Sequence, residues 1–256
     1  MSLAIAVSTK NIASMNIFAR LLEKGFEITD KKWHSRSIYR LGNIDLIQTD
    51  EEVVYADSLN DVDYDQIVVA CTHRSAAGVP AMTVHHIGNF GPADLGGTPG
   101  VLGFALANPA RNIFKEMKNG YENFEITMEA THHGPKLYKP CCYVELGSSE
   151  KQWKDEDAAD FLANCIIKGL ESKHHKETAI GIGGGHYCDK FNDLTDDYAF
   201  GHIMPKYAIE HLNKDMLKQM VERTIPKATK IFMDKKGTKG QAELRKMLSE
   251  YEIEMV

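Results

Sequence analysis

The segment that decides the fold is LAIAVSTKNIASMNIFARLLEKG, residues 3–25. Residues 3–8 are almost all apolar, which predicts a buried strand. Residues 12–24 carry apolar side chains at helical spacing, and Gly25 ends the pattern. A buried strand that leads directly into an amphipathic helix is typical of the opening of an α/β fold.

The rest of the chain continues this alternation of strands and helices. A hairpin is predicted within residues 37–49, where Gly42 and Asn43 separate two short apolar stretches. The Gly- and Pro-rich residues 88–100 predict a long loop. Further strands are predicted at residues 66–71, 81–86, 124–131, 141–146, 178–182, 230–233 and 251–256. Helices are predicted at residues 108–120, 155–173, 205–212, 214–223 and 240–249. We therefore predict an α/β fold with a mixed, largely parallel sheet flanked by helices, in a single domain over residues 1–256 with inserted loops.

Composition narrows the class of protein. With 256 residues, 43% of them hydrophobic, the chain can bury a large core. Its apolar runs are far shorter than the roughly 20 residues that cross a bilayer, and no signal sequence begins it, so the cytoplasm is expected. The five cysteines are odd in number and form no C-x-x-C pair, which favours free thiols in a reducing compartment.

Charge is distributed unevenly along the chain. The net charge is −6, which argues against nucleic acid as a partner. Residues 214–240, however, hold eight basic and three acidic side chains, a local +5 that leaves −11 for the remainder. Lys235, Lys236 and Lys239 are therefore predicted to contact the phosphates of a nucleic acid, the alternative being a solvated surface.

Strand 124–131 runs into two adjacent histidines, in the sequence EATHHGP at residues 129–135. Because side chains alternate along a strand, Glu129 and His133 are predicted to share one face and His132 the other. An acid and two histidines at a strand end favour an active-site role over that of a packed structural histidine.

A second segment, GIGGGHYCD at residues 181–189, combines a glycine run with His186. The amides of Gly183, Gly184 and Gly185 could approach an oxyanion, although a glycine-rich strand packed against another backbone is the alternative. The segment lacks the Lys and Ser/Thr of a phosphate-binding loop.

Other histidines follow strands in the same way. His73 follows strand 66–71, and His85 and His86 end strand 81–86 and are expected to point to opposite sides. Together with His202, beside Gly201, these imidazoles could form an open zinc site with Glu129 nearby. His34, His174, His175 and His211 show no such setting, and Ser75 and Cys188 lack a nucleophile motif, so water is the expected nucleophile.

Taken together, THRS (72–75), HHIGN (85–89), EATHHGP (129–135) and GGGHY (183–187) resemble the D-aminoacyl-tRNA deacylase family of archaea and plants. The similarity runs over nearly the whole chain. It implies hydrolysis of D-tyrosyl-tRNA and related D-aminoacyl-tRNAs, dependence on zinc, and a fold similar to phosphorylase-like and peptidyl-tRNA hydrolase-like proteins.

A mechanism consistent with the residues and the resemblance assigns the following roles. His133, His186 and His202 hold the metal; Glu129, His86 and His132 act in catalysis; Gly183, Gly184, Gly185, His73 and Asn89 bind the substrate or its oxyanion. Two rival hypotheses are a zinc hydrolase or phosphorylase-like enzyme of a small metabolite and a non-catalytic tRNA- or metal-binding protein. The sequence leaves a monomer and a homodimer equally open.

Overall fold

The computed structural model describes residues 2–234 together with residues 242, 246, 247, 254 and 255. These residues form two sheets and six α-helices. The strands are β1 Leu3–Ser8, β2 Glu27–Trp33, β3 Arg36–Leu41, β4 Ile44–Thr49, β5 Gln66–Arg74, β6 Ala81–His85, β7 Phe104–Leu106, β8 Glu125–Met128, β9 Pro140–Ser148, β10 Glu177–Ile182, β11 Tyr198–Met204, β12 Thr224–Ile225, β13 Lys230–Met233 and β14 Glu254–Met255. The helices are α1 Ile12–Glu23, α2 Ala107–Met117, α3 Glu150–Trp153, α4 Glu156–Glu171, α5 Asp189–Asp193 and α6 Lys214–Glu222. Short 3₁₀ helices occupy Val53–Tyr55, Asp57–Asn60, Leu194–Asp196 and Lys206–His211.

The larger sheet has ten strands, in the order β12-β7-β9-β5-β1-β4-β3-β2, with β6 and β8 branching from β9. Its pairs are parallel except β2–β3, β3–β4 and β6–β9. The second sheet, β11-β10-β13-β14, is parallel throughout. The predicted mixed, largely parallel sheet flanked by helices is confirmed, as is the hairpin of β3 and β4.

Helices cover one face of the large sheet. In α1 the buried residues Ala13, Ile17 and Leu21 recur every four residues, and Asn11 caps the helix by accepting a hydrogen bond from the Ser14 amide. This stripe, with those of α2 and α4, packs on the sheet in one continuous apolar cluster. A second cluster lies under the 3₁₀ helices at 53–60, and a third joins the small sheet to α6.

The sheet forks along β9, and this fork positions the functional site. One edge of β9 pairs with β5 over its whole length. The other edge pairs with β7 at residues 140–141 and then with β6 at residues 143–147. Strand β6 pairs in turn with β8, and a bridge between Ile87 and His132 keeps the segments that follow these two strands side by side.

The structure corrects several predicted elements. Strand β2 escaped prediction because it is an edge strand with mostly polar, exposed residues, and β11 because Gly201 interrupts its apolar pattern. Residues 206–211 form a 3₁₀ helix, and the predicted strand 124–131 ends at Met128. The predicted helix 240–249 and strand 251–256 lie mostly outside the described residues. Among the residues described, no helix has the length and apolar character to cross a membrane.

Candidate active site

Seven acidic and histidine side chains meet at the fork of the sheet. They come from five separate segments of the chain: His73, His85, Glu129, His132, His133, Glu145 and His186. His85, Glu129 and Glu145 are almost fully buried. The His132 and His186 side chains are 27% and 39% exposed and form the outer edge. The site therefore consists of two buried carboxyl groups surrounded by imidazoles, two of which are partly exposed to solvent.

Strand register builds the floor of this cluster. In β9, Tyr143 lies opposite His85 of β6, and Glu145 lies opposite Cys71 of β5. Because alternate residues of a strand share a face, Cys71 and His73 lie on the face that carries Tyr143 and Glu145. Glu145 thereby reaches both neighbours: its Oε1 is 3.1 Å from His85 Nε2 and its Oε2 is 3.5 Å from His73 Nδ1.

The segment after β8 supplies three more groups. Because β8 ends at Met128, the prediction that His132 and His133 lie on opposite faces is wrong: an irregular turn, with His133 at φ 43°, brings both to the cluster. The His133 carbonyl accepts the Gly88 amide, and Gly134 donates to the Leu95 carbonyl. The loop at 88–100 thus holds the turn in place.

The two carboxyl groups differ in their ionisation. Burial, together with the negative charge of Glu145, raises the pKa of Glu129 to about 8. Burial would raise the pKa of Glu145 as well. The contacts of its carboxyl group with His85, His133 and His73 outweigh burial and hold that pKa well below its usual range. Glu145 is therefore the ionised member of the pair, and Glu129 is the member that holds a proton near neutral pH.

Glu129 lacks the partners that a buried acid needs. Both of its carboxyl oxygens are buried without a hydrogen-bond partner among the described residues. Histidine nitrogens lie around it without hydrogen-bond geometry: His73 Nδ1 at 3.2 Å, His132 Nε2 at 3.7 Å and His186 Nε2 at 3.9 Å. Unsatisfied buried oxygens are costly, so this site is built to receive another group.

Three histidines point the same nitrogen into the cluster. The Nδ1 atoms of His85, His132 and His133 face the carbonyls of His86, Ala130 and Gly134 respectively. A carbonyl only accepts, so Nδ1 carries a proton in each ring and Nε2 is the nitrogen left to bind a further group. In His85 that Nε2 lies 3.1 Å from Glu145 Oε1, a contact that needs a proton or a cation between the two atoms. Burial lowers the pKa of His85 and His132, which keeps both rings neutral. Each of the three rings offers one nitrogen within 4.8 Å of the other two, a spacing that suits a cation, and carbonyl-oriented imidazoles are typical of metal ligands.

Two further histidines of the cluster are bonded to tyrosines. His73 Nε2 lies 2.9 Å from the Tyr187 hydroxyl, and His186 Nδ1 lies 2.9 Å from that of Tyr207. Burial would lower the pKa of His73, but the hydrogen bond with Glu145 and the charges of both glutamates outweigh it and raise that pKa. Burial lowers the pKa of His186 to about 4. His73, predicted to bind substrate, thus lies beside the carboxyl pair.

A cleft of about 370 Å³ opens beside the outer histidines. Its floor contains His132 and His133, and its walls contain Phe90, Leu95 and Tyr207. The cleft is also lined by His211, for which sequence alone gave no role, and by Asn89. The side-chain amide of Asn89 donates through Nδ2 to the Gly96 carbonyl at 3.0 Å, so Asn89 also fixes the shape of the loop.

The structure separates His86 and His202 from the cluster. As predicted, His86 points to the opposite side from His85; its Nδ1 is bonded to the Gly201 carbonyl. His202 lies near it, fully buried, with Nδ1 3.2 Å from Thr131 Oγ1 and Nε2 3.1 Å from the Gly103 carbonyl. Burial lowers the pKa of His86 to about 4 and that of His202 to about 3. Of the metal set proposed from sequence, His133 and His186 lie in the cluster and His202 does not. Both ring nitrogens of His202 are instead hydrogen-bonded to Thr131 and Gly103.

The glycine run at residues 183–185 forms a turn. The Gly183 amide donates to the Met204 carbonyl at 2.8 Å, so it is not free for an oxyanion, and the Gly184 carbonyl accepts from Lys206. Gly183 and Gly184 have φ values of 102° and 78°, which favour glycine, and the turn they make brings His186 to Glu129. Gly185 belongs to the same turn.

The remaining sequence predictions can be placed briefly. His34, His174 and His175 are exposed, as expected. The Cys188 thiol is buried, and burial raises its pKa well above the usual value, so it is a poor nucleophile. All five cysteines are free thiols. Lys235, Lys236 and Lys239 lie outside the described residues, and their contact with tRNA stays a prediction.

Sequence reasoning missed one member of the cluster, Glu145, and assigned no specific role to another, His85, which it had counted among the candidate zinc-site imidazoles. Glu145 interrupts the apolar strand CCYVELG at residues 141–147. A charged residue within an apolar strand is almost never buried without a partner, and that signal could have identified it. His85 was passed over for its neighbour His86, since nothing local distinguishes the two.

The fold and the cluster define a class of protein: an α/β enzyme whose active site, built from histidines and two glutamates, can hold a metal ion. The family follows from comparison with known proteins. The model of the D-aminoacyl-tRNA deacylase family matches residues 60–256. The chain belongs to the D-aminoacyl-tRNA deacylase family, which confirms the resemblance seen in its motifs.

Individual relatives agree with this assignment. A D-aminoacyl-tRNA deacylase of Thermococcus onnurineus is 37% identical over 264 residues, covering 96% of this chain and 96% of the relative. Another, of Ignicoccus hospitalis, is 36% identical and covers 84% of this chain and 88% of the relative. Among solved structures, one described as a conserved protein of unknown function, AF0625, superposes with a TM-score of 0.91 at 28% identity, over 99% of this chain and 94% of that one.

Proposed function

We propose that the seven-residue cluster hydrolyses the ester that joins a D-amino acid to tRNA and that it does so with a zinc ion. As a member of its family, the chain is a hydrolase of D-aminoacyl-tRNA. The observation that carries the assignment of the site is Glu129, a buried acid without hydrogen-bond partners beside three inward-facing imidazoles. The rival hypotheses of a metabolite enzyme and of a non-catalytic binding protein have no comparable support.

His85, His132 and His133 are the residues that would hold the zinc ion. Three neutral imidazole ligands are a donor set that zinc accepts in hydrolytic enzymes, with one position left for water or substrate. When bound, zinc would supply an activated water and polarise the ester carbonyl. His186, in the metal set chosen from sequence, forms a second group with Glu129 and His132 and is proposed instead to line the rim.

Glu129 is the residue that moves the proton. In its ionised form a carboxylate oxygen accepts a proton from the attacking water, and in its neutral form it returns that proton to the departing ribose hydroxyl. A pKa of about 8 keeps both forms accessible near neutral pH. His73, held between Tyr187 and the two glutamates, orients the Glu129 carboxyl group.

The cleft above His132 and His133 is the proposed site of the amino acid. Its volume of about 370 Å³ and its walls of Phe90, Leu95 and Tyr207 suit an apolar or aromatic side chain. Discrimination between enantiomers would follow from shape: an L-residue would direct its side chain where the D-enantiomer carries hydrogen. His186 and Tyr207 at the rim are placed to hold the ester.

We also propose that residues 1–256 act as one domain in the cytoplasm. The site needs both sheets, because His186 follows β10 of the small sheet, whereas the other members lie in strands of the large sheet or follow its strand β8. A backbone hydrogen bond of 2.9 Å from Thr131 to Ile203 joins the two next to the site.

Release of D-tyrosine from D-tyrosyl-tRNA, with L-tyrosyl-tRNA as control, tests the proposal directly. We expect hydrolysis of the D-substrate only, loss of activity with chelator and recovery with zinc. Full activity in a metal-free preparation would refute the zinc assignment and leave hydrolysis by Glu129 and the histidines alone.

A further inference from the structure

A groove on the far side of the EATHHGP turn has the chemistry of a site for single-stranded nucleic acid. This groove, about 320 Å³ in volume, contains Thr98, Phe104, Lys136, Tyr138 and Arg223 and is called here the basic groove. Of the described residues that line it, none is acidic. In a chain with a net charge of −6, such a local surplus of cations is unusual.

The two cationic side chains of the groove, those of Arg223 and Lys136, each lie beside an aromatic ring. The Arg223 guanidinium donates to the Leu102 carbonyl and lies 5.5 Å from the centre of the Phe104 ring. The Lys136 ammonium lies 5.4 Å from the centre of the Tyr138 ring. Within the described part of the chain, neither forms an ion pair with a carboxylate. Unpaired cations beside aromatic rings are typical of sites that bind phosphate and stack bases.

Tyr138 is an exposed ring on a fixed backbone. Its side chain is 63% exposed. Its amide donates to Asn60 Oδ1 at 2.8 Å, and the preceding Leu137 is buried in the core. The Lys136 amide donates to Asp57 Oδ1, also at 2.8 Å. An exposed aromatic side chain whose backbone is held this firmly loses little freedom when a base stacks on it.

The basic groove is continuous with the active site. Lys136 follows the metal-site residue His133 by three positions, so their Cα atoms are at most about 11 Å apart. Gly88 lines both this groove and the amino-acid cleft. A chain whose last nucleotide carries its ester to His132 and His133 would therefore lead back through the basic groove.

Resting on the proposed function, we propose that the basic groove binds the unpaired nucleotides that precede the aminoacylated end of tRNA. Tyr138 stacks on a base, and Lys136 and Arg223 contact phosphates. The sequence predicted the tRNA contact in the basic segment 214–240. Arg223 belongs to that segment and lies within the described residues, so the basic groove includes part of the segment.

The test measures binding and hydrolysis separately. Binding uses fluorescent uncharged tRNA and a single-stranded RNA that ends in CCA; hydrolysis compares D-tyrosyl-tRNA with D-tyrosyl-adenosine, which lacks the preceding nucleotides. Tyr138→Ala should weaken tRNA binding and raise KM for D-tyrosyl-tRNA by about fivefold to a hundredfold, the range for losing one base–aromatic stack. Tyr138→Phe should behave as wild type. Neither change should alter kcat or the hydrolysis of D-tyrosyl-adenosine.

Charge reversal supplies an independent measure. Lys136→Glu should flatten the log–log salt dependence of tRNA binding by roughly 0.7, the value for one single-strand phosphate contact. Lys168→Glu, an exposed lysine on α4, is the matched control and should leave the slope unchanged. Unchanged binding in both Tyr138→Ala and Lys136→Glu would overturn the proposal, as would equal losses with tRNA and D-tyrosyl-adenosine. A wild-type protein that binds RNA through these residues but hydrolyses neither substrate would refute the proposed function and leave the groove assignment standing.

Discussion

Replacing Glu129 by glutamine should abolish activity and stabilise the metal-free protein. A buried carboxyl group whose pKa is about 8 when folded and 4.5 when unfolded binds its proton more tightly in the folded state. The unfolded chain therefore ionises first, and stability falls as pH rises from 4.5 to 8. The lost stability is on the order of 1 kcal/mol at pH 5.5 and on the order of 4 kcal/mol at pH 8. Glu129→Gln has no titrating group and escapes this loss.

The experiment compares urea unfolding of chelator-treated wild type and Glu129→Gln at the two pH values. The free energy of unfolding of the variant relative to wild type should rise by about 3 kcal/mol between pH 5.5 and pH 8, because titrating groups that do not interact with Glu129 cancel in the difference. Turnover of D-tyrosyl-tRNA should fall by at least about a hundredfold, as for loss of a positioned proton-transfer group. A stability difference that is the same at both pH values would refute the assignment of a raised pKa. Retained turnover would refute the role of Glu129.

Three further predictions follow from the same cluster. Metal analysis should find zinc in wild type and in His202→Ala, and the latter should lose only thermal stability. His132→Ala should lose the metal. Equal metal contents in the two variants would contradict the ligand assignment. Steady-state kinetics should show about a hundredfold loss of turnover in His186→Ala, the range for losing one group that stabilises the reacting ester, and wild-type turnover in the exposed control His174→Ala. Similar values for both would remove His186 from the site. Gly134→Ala should lower both the melting temperature and activity, since the new Cβ would lie 2.2 Å from a backbone nitrogen of the loop at 88–100; a melting temperature equal to that of wild type would show that the loop is not packed there.

The family and the main elements could be predicted from sequence because their signals are local. Strand β1 and helix α1 are encoded by an apolar run and by a 3.6-residue periodicity, and the β3–β4 hairpin by a turn dipeptide. The four histidine-containing motifs each mark a strand end. Local signals of this kind need no knowledge of what packs against them.

Only the tertiary structure decided which histidines act together. His85 and His86 are adjacent in sequence, yet one faces Glu145 and the other packs beside His202, because the pleat of β6 sends them to opposite sides. The register of β9 against β5 and β6, a pairing across about 60 to 75 residues of chain, places Glu145 beside His73 and His85. Likewise, the raised pKa of Glu129 arises from burial and a neighbouring charge that no pattern in residues 129–135 contains. The sequence alone predicted a histidine-rich hydrolytic site, whereas long-range strand pairing and burial determined which residues meet in the proposed site and how they are protonated.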